Sequence, residues 1–320
     1  MKKQFSETML ALLLLVRLVL PAPCVQDDVN DKKGFSCPGP DVLSERVRFR
    51  YKGTQLKISC TMKCKVKSNE VSSYLESIPI PQNLTWVIIR DCPLPQKSFK
   101  VWLQRVNSLP GRLIELEVTF SKNCSNSDCP DPHHSFSSTC FHLPSNLFDG
   151  LQNLQRLILR LDLMTSLPSG IFDNLFNLQE LEVKGQLSSI EHGALANLKE
   201  LRILDIGGTS EDTGGNQLER VPDLKQLRKL EELYIRHNRI SRLNRDMLLH
   251  NSELTLFKAT NNAISEMPEN FFNSCLSLKT IWLDKNNLTS LPKTLFKNLT
   301  SLTTLTLALN NLTSLPKDLQ

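Results

Sequence analysis

The sequence is poor in aromatic side chains: Phe, Tyr and Trp make up 6% of its 320 residues, with 3 Tyr and 3 Trp. Its apolar share is nevertheless 40%, ordinary for a globular chain and well above a disordered one, so leucine carries the core. After Leu20 no apolar run approaches 18 residues, which excludes a membrane-spanning helix there. A phosphate-binding P-loop, HExxH, GxSxG and GxGxxG are all absent, which removes the common nucleotide, zinc-protease, hydrolase and dinucleotide signatures. No acid–base pair stands out either, because the carboxylates fall mostly at predicted surface positions. The chain is not expected to be an enzyme, and no cofactor is expected.

Cysteine is nearly missing from the second half. Of nine cysteines, only Cys275 lies beyond residue 140. Cys24, Cys37, Cys60, Cys64, Cys92, Cys124, Cys129 and Cys140 crowd the first part, as in a disulfide-rich domain of the oxidising compartment, with the connectivity open. Cys275 is expected to be a buried, unpaired thiol behaving as a small apolar group. His133 and His134 lie near Cys124, Cys129 and Cys140, but the spacing matches no zinc pattern, so no metal is expected.

The first 23 residues have the layout of a signal peptide. Lys2 and Lys3 precede an apolar stretch from Met9 to Leu20, broken only by Arg17 and ended by Pro21-Ala22-Pro23. Twelve residues are too short for roughly 30 Å of hydrocarbon. Sequons at Asn83, Asn123, Asn287, Asn298 and Asn311 fit the secretory route and predict solvated surface with N-linked glycans. The formal charge of +5 is unevenly placed: residues 32–67 hold ten Lys or Arg against Asp41 and Glu45. A solvated basic face is the simpler reading, and a docking patch for an anionic partner the alternative.

From residue 154 the pattern LxxLxLxxNxLxxLP recurs, starting at Leu154, Leu178, Leu201, Leu230, Leu254, Leu278 and Leu302. The intervals are 24 or 23 residues except the one of 29 between Leu201 and Leu230. Alternating leucines place one face of a short strand in the core. Stacking these strands in parallel builds a continuous sheet that no single repeat could cover. Asn238, Asn262, Asn286 and Asn310 follow the strands and are expected to bond backbone groups of adjacent turns, sparing about 1–3 kcal/mol for each buried group left unpaired. Phe148, Phe172, Phe271 or Phe272, and Phe296 are expected to stack under the convex side. The fold class predicted is an α/β solenoid, a leucine-rich-repeat horseshoe with a concave parallel β-sheet and a disulfide-rich N-terminal cap. Residues 24–83 are read as the cap and 84–320 as the repeats. Insertions fall at about 121–142, tied by three cysteines, and at 207–216, a Gly-rich segment expected to be an exposed loop. The last repeat stops at Gln320 with no cap, so a longer natural chain is expected.

The repeat register points certain side chains out of the concave strands: Arg156, Arg160, Glu180, Glu182, Lys184, Glu232, Tyr234, Arg236, Lys258, Trp282 and Asp284. Trp, Tyr and Arg are the residue types that anchor interfaces. Tyr234 and Trp282 occupy positions where small polar residues are the norm, so this face is the candidate ligand-binding site.

The segment QLKISCTMKC at 55–64, followed by LTWVIIRDCPLP at 84–95, resembles the N-terminal region of arthropod Toll receptors. The phrasing of LPSNLFDGLQNLQRLILRLDLMTSLPSGIFDNLFNLQELEV is also Toll-like, and the resemblance covers about residues 35–320. It implies a ligand-binding ectodomain fragment of a receptor for innate immunity or development, on the extracellular side of the plasma membrane. Its protein ligand would be a cystine-knot cytokine of the Spätzle type, and receptor dimerisation would drive an intracellular domain in the full-length protein. Nucleic acid is not an expected partner. The alternative is a secreted leucine-rich-repeat matrix, adhesion or decoy protein. A cytosolic ribonuclease-inhibitor-type binder is disfavoured, because its repeats are longer and helical.

Overall fold

The computed structural model describes residues 25–26, 33–38, 46–52, 54–61, 83–91, 98–105, 110–120, 143–162, 164–208 and 215–316. The predicted signal peptide, the insertion at 121–142 with Asn123, and Cys24, Cys64, Cys92, Cys124, Cys129 and Cys140 lie outside this set, as do the side chains of Cys37 and Cys60.

The chain runs through β1 (Val25–Gln26), β2 (Lys33–Pro38), β3 (Arg46–Lys52), β4 (Gln55–Thr61), β5 (Trp86–Arg90), the short helix α1 (Phe99–Arg105) and β6 (Glu115–Phe120). It continues through β7 (Arg156–Leu161), β8 (Ser166–Leu167), β9 (Glu180–Gly185), β10 (Ser189–Ile190) and β11 (Ile203–Asp205). The last four strands are β12 (Glu232–Tyr234), β13 (Leu256–Lys258), β14 (Thr280–Trp282) and β15 (Thr304–Thr306). β1, β2, β3 and β4 pair antiparallel in sequence order. From β4 onward every neighbour in the main sheet is parallel, ten strands in all, with β8 and β10 pairing to each other outside it. This is the leucine-rich-repeat solenoid. After β7 its returns are built from turns.

The inward positions of the repeat make one continuous core. Leu154, Leu178, Leu201, Leu230, Leu254 and Leu278 are fully buried, and so are the strand residues Leu157, Leu181, Leu204, Leu233 and Ile281. Phe257 takes the strand position on β13 and meets Phe272 edge to face at 5.4 Å. The phenylalanine stack exists in two segments. Phe99, Phe148 and Phe172 stack at 6.0 and 5.9 Å, and Phe272 stacks on Phe296 at 6.5 Å. Between them the spine is aliphatic, with Leu195, Leu224 and Leu248 buried instead. Cys275 is buried and free, and burial pushes its thiol up to about 12.

The asparagines form the expected ladder. Asn286 accepts the Ile264 N–H at 3.1 Å and donates to the carbonyls of Ala259 and Leu283, both at 3.0 Å. Asn262 repeats this with Ile240, Ile235 and Ala259, and Asn310 with Leu288, Leu283 and Leu307. Asn238 does the same with Leu218, Ile206 and Ile235. The residue before each ladder position adopts the left-handed region: His237, Asn261, Lys285 and Leu309 have φ between 53° and 57°. That conformation is costly for side chains other than glycine, and it turns the chain sharply off the strand into the asparagine's reach.

The 207–216 segment departs from expectation at both ends. Gly207, Gly208 and Asn216 are buried. Asn216 is the missing ladder residue of the 29-residue repeat. It accepts from Leu187 N–H at 3.2 Å and donates to the carbonyls of Val183 at 2.8 Å and Ile206 at 3.0 Å. Gly208 and Asn216 thus both keep their places in the solenoid. Gly208 is required because a Cβ there would strike the His237 carbonyl oxygen.

Candidate ligand-binding face

Strand register decides which side chains share the concave surface. The aligned positions Glu117, Ile158, Glu182, Asp205, Tyr234, Lys258, Trp282 and Thr306 run across β6 to β15 as one row. A parallel row beside it runs Glu115, Arg156, Glu180, Ile203, Glu232, Leu256, Thr280 and Thr304. All the residues picked from the repeat register sit on this face: Arg156, Arg160, Glu180, Glu182, Glu232, Tyr234, Arg236, Lys258, Trp282 and Asp284 are half-buried, and Lys184 is buried.

The N-terminal half of the face is a closed charge network. Arg156 donates to Glu180 at 2.8 Å and lies 3.7 Å from Glu115. Arg160 bridges Glu182 at 2.9 Å and Glu117 at 3.7 Å, and Arg90 reaches the same Glu117 at 3.4 Å. The hydrogen bond to Glu180 raises the Arg156 pKa further. Ile88 and Ile158, central on their strands, are buried beneath these long side chains. Such half-exposed pairs contribute about 0–1 kcal/mol each; their main effect is to occupy one another's hydrogen-bonding capacity.

Asp205 sits at the middle. It forms a close ion pair with Lys184, accepts from Arg236 at 3.1 Å, and accepts the Gly207 N–H at 3.0 Å. Burial lowers the Lys184 pKa, and Asp205 only partly opposes that. Lys184 is thus an internal tie between strands rather than a contact residue. Asp205 is absent from the residues picked from the sequence, although the LRILDI phrase starting at Leu201 carries the signal that places it beside Tyr234.

The C-terminal half has a different chemistry. Tyr234 donates to Glu232 at 2.6 Å, and the Arg236 guanidinium lies 5.4 Å from its ring centre. Burial first, and that carboxylate second, raise the phenol pKa. The Lys258 ammonium stands 3.6 Å from the Trp282 ring centre, a cation–π contact. Burial and then the nearby Arg236 lower its pKa, and among the described residues no carboxylate comes within ion-pair distance of it. Asp284 is tied down by Thr306 and by the Ala308 N–H at 3.2 Å. Leu256, Thr280, Thr304 and Thr306 complete the surface around the two aromatic rings and the Lys258 cation.

Among the described residues no group of three or more His, Cys, Asp or Glu is placed to hold a metal, and no helix is long and apolar enough to cross a membrane. The sequons Asn83, Asn287, Asn298 and Asn311 are exposed.

Fold and face together define a leucine-rich-repeat solenoid whose parallel strands carry a charged half and an aromatic half. Comparison with known proteins agrees with the fold. Residues 276–320 match the leucine rich repeat family, and residues 119–235 match the BspA type leucine rich repeat region of six copies. The protein in the crystal structure of the TLR13–ssRNA13 complex is similar, with 20% identity and a TM-score of 0.55 over 78% of this chain and 31% of that one. Toll of Drosophila, in complex with Spätzle, aligns with 18% identity and a TM-score of 0.35 over 93% of this chain and 49% of that one. A leucine-rich-repeat protein of Leptospira interrogans aligns with 23% identity and a TM-score of 0.48 over 73% and 57%. The chain thus spans less than two thirds of each of these. No curated protein sequence matches it.

Proposed function

We propose that the chain is the ligand-recognition part of a Toll-like, extracellular leucine-rich-repeat receptor, binding a protein ligand through the C-terminal half of its concave face. The observation that carries this reading is the Tyr234–Lys258–Trp282 group. Two aromatic rings and a cation without a carboxylate partner among the described residues lie side by side on this face, which is the composition of an interface anchor. The N-terminal half supports the reading by contrast, since its charges already satisfy each other. Across the ten parallel strands the face holds seven cations and seven carboxylates, so it offers no basic stripe for a nucleic-acid backbone. The Toll-like phrasing of residues 55–64, 84–95 and 143–183 favours a cystine-knot cytokine of the Spätzle type as ligand. Export by residues 1–23, and a membrane anchor with a signalling domain in the full-length protein, belong to the same proposal.

Biolayer interferometry with the secreted chain and a purified Spätzle-type cytokine tests it. Trp282→Ala is expected to weaken binding by about 2 kcal/mol or more, roughly 30-fold, with the circular dichroism unchanged. Binding that survives both Trp282→Ala and Tyr234→Ala moves the site off this face. A full-length transcript encoding a C-terminal cap and a stop, with no membrane helix, replaces the receptor with a secreted binder.

A further inference from the structure

A cleft of about 540 Å³ opens on the flank where the chain enters strands β5 to β9, away from the charged concave face. Sites for small ligands run from about 300 to 1,000 Å³. Among the described residues the cleft is lined by neutral groups, with Arg112 the one charge. Asn153 and Gln155 on one turn and Asn177 and Gln179 on the next form a square of four side-chain amides, repeating at the strand spacing of about 4.8 Å. Asn153 and Asn177 are partly committed, donating to the Gly111 carbonyl at 2.7 Å and the Gln152 carbonyl at 2.8 Å. Among the described residues the Gln155 and Gln179 amides have no such engagement and are exposed. Among the described lining residues Ile114, 38% exposed, is the one apolar side chain. Further along the same flank this neutrality ends: Arg202 pairs with Glu231 at 2.7 Å and Lys229 with Glu200 at 2.6 Å.

Amides around a single apolar platform, without paired charges, suit a sugar that carries hydroxyls, an acetamide and an apolar ring face. The wall of the cleft itself supplies an attachment point. Asn83 lines it and is exposed, within the sequon Asn83-Leu84-Thr85, and Thr85 lines it as well. We propose that this cleft seats the innermost N-acetylglucosamine units of a glycan carried by Asn83 of the same chain. Attachment forms a bond from Asn83 Nδ2 to C1 of the first sugar. The C1–O bond to a polyprenyl-pyrophosphate donor breaks, the pyrophosphate leaves with the electron pair, and the amide proton is lost to base. The seated sugars then hydrogen-bond Gln155 and Gln179 and cover Ile114, so this flank is closed to protein partners.

The test uses the chain secreted from a glycosylating host. The native protein is digested with peptide-N-glycosidase in ¹⁸O water, which marks each released site for mass spectrometry. Two neutral hydrogen bonds are worth roughly ten-fold in occupancy, so Asn83 is expected to be released about ten-fold more slowly than the exposed Asn287 and Asn311. All sites should be released alike after denaturation. Gln155→Ala with Gln179→Ala, and separately Ile114→Ser, are expected to bring the native Asn83 rate up to the others. An unmodified Asn83, equal native rates in the unaltered protein, or protection that persists in both folded variants each overturns the proposal.

Discussion

Single side chains show how far a residue's chemistry is set by its place in the solenoid. Cys275 occupies an inward repeat position with no exposed surface, and its thiol is pushed up to about 12 by burial alone. Thiolate is the reactive form, so Cys275 is expected to resist iodoacetamide at pH 8 in the folded protein and to react in denaturant, as peptide mapping of that cysteine will read. Its role was legible in the sequence because the cysteine falls at an apolar position of the repeat. Tyr234 was legible as an outward residue, but its hydrogen bond to Glu232 was not, since it depends on a rotamer. The folded phenol pKa is raised by burial and by that carboxylate. A raised pKa means that stability from the protonated phenol is fully present below the unfolded value of about 10 and is lost as pH rises above it. The tyrosinate absorbance of the native protein should therefore lag that of the unfolded chain. Tyr234→Phe should remove the lagging component and lessen alkaline destabilisation.

At the scale of the turn, the ladder asparagines are the units that tie one repeat to the next. Asn286 is 4% exposed and serves one N–H and three carbonyls, those of Ala259, Leu283 and Asp284. Asn286→Ala leaves those groups buried and unpaired, at a cost of about 3 kcal/mol, measurable by urea denaturation. Asn286→Asp should also destabilise, because a carboxylate accepts from Ile264 but cannot donate to Ala259 or Leu283. The ladder from Asn238 to Asn310 could be read directly from the 24-residue spacing. Asn216 could not, because five extra residues break the count just before it. The cross-strand ion pairs lie in between: Arg156 and Glu180 are 24 residues apart and so were readable as neighbours, whereas Asp205 shares its charge between Lys184 and Arg236 across unequal spacings. The two-part phenylalanine spine was legible where the repeat keeps a phenylalanine after its proline, including MPENFF at 267–272.

Across the whole molecule, stability is the sum of neighbouring turns, since each strand from β5 onward contacts little beyond the one before and the one after. A weak junction therefore divides the array instead of lowering it uniformly. The irregular repeat is the candidate junction: beyond the three-residue pairing of β11 with β12, two glycines pack closely against the Arg236 and His237 backbone. Adding a methyl group at Gly208 drives it into the His237 carbonyl oxygen, a backbone atom rather than the end of a flexible side chain. The hydrogen bond from Gly208 N–H to the Arg236 carbonyl, at 2.7 Å, would be lost with it. Gly208→Ala is thus expected to separate unfolding into two steps, because the turns on either side retain their own ladders and cores while their coupling falls. Hydrogen exchange read by mass spectrometry would show protection lost first around 203–240 and then independently in the β5–β9 and β13–β15 blocks. A single cooperative loss in the variant would mean that coupling runs through the continuous core of Leu204, Leu233 and Phe257. The turn after β11 would then be ornamental to the stability of the array.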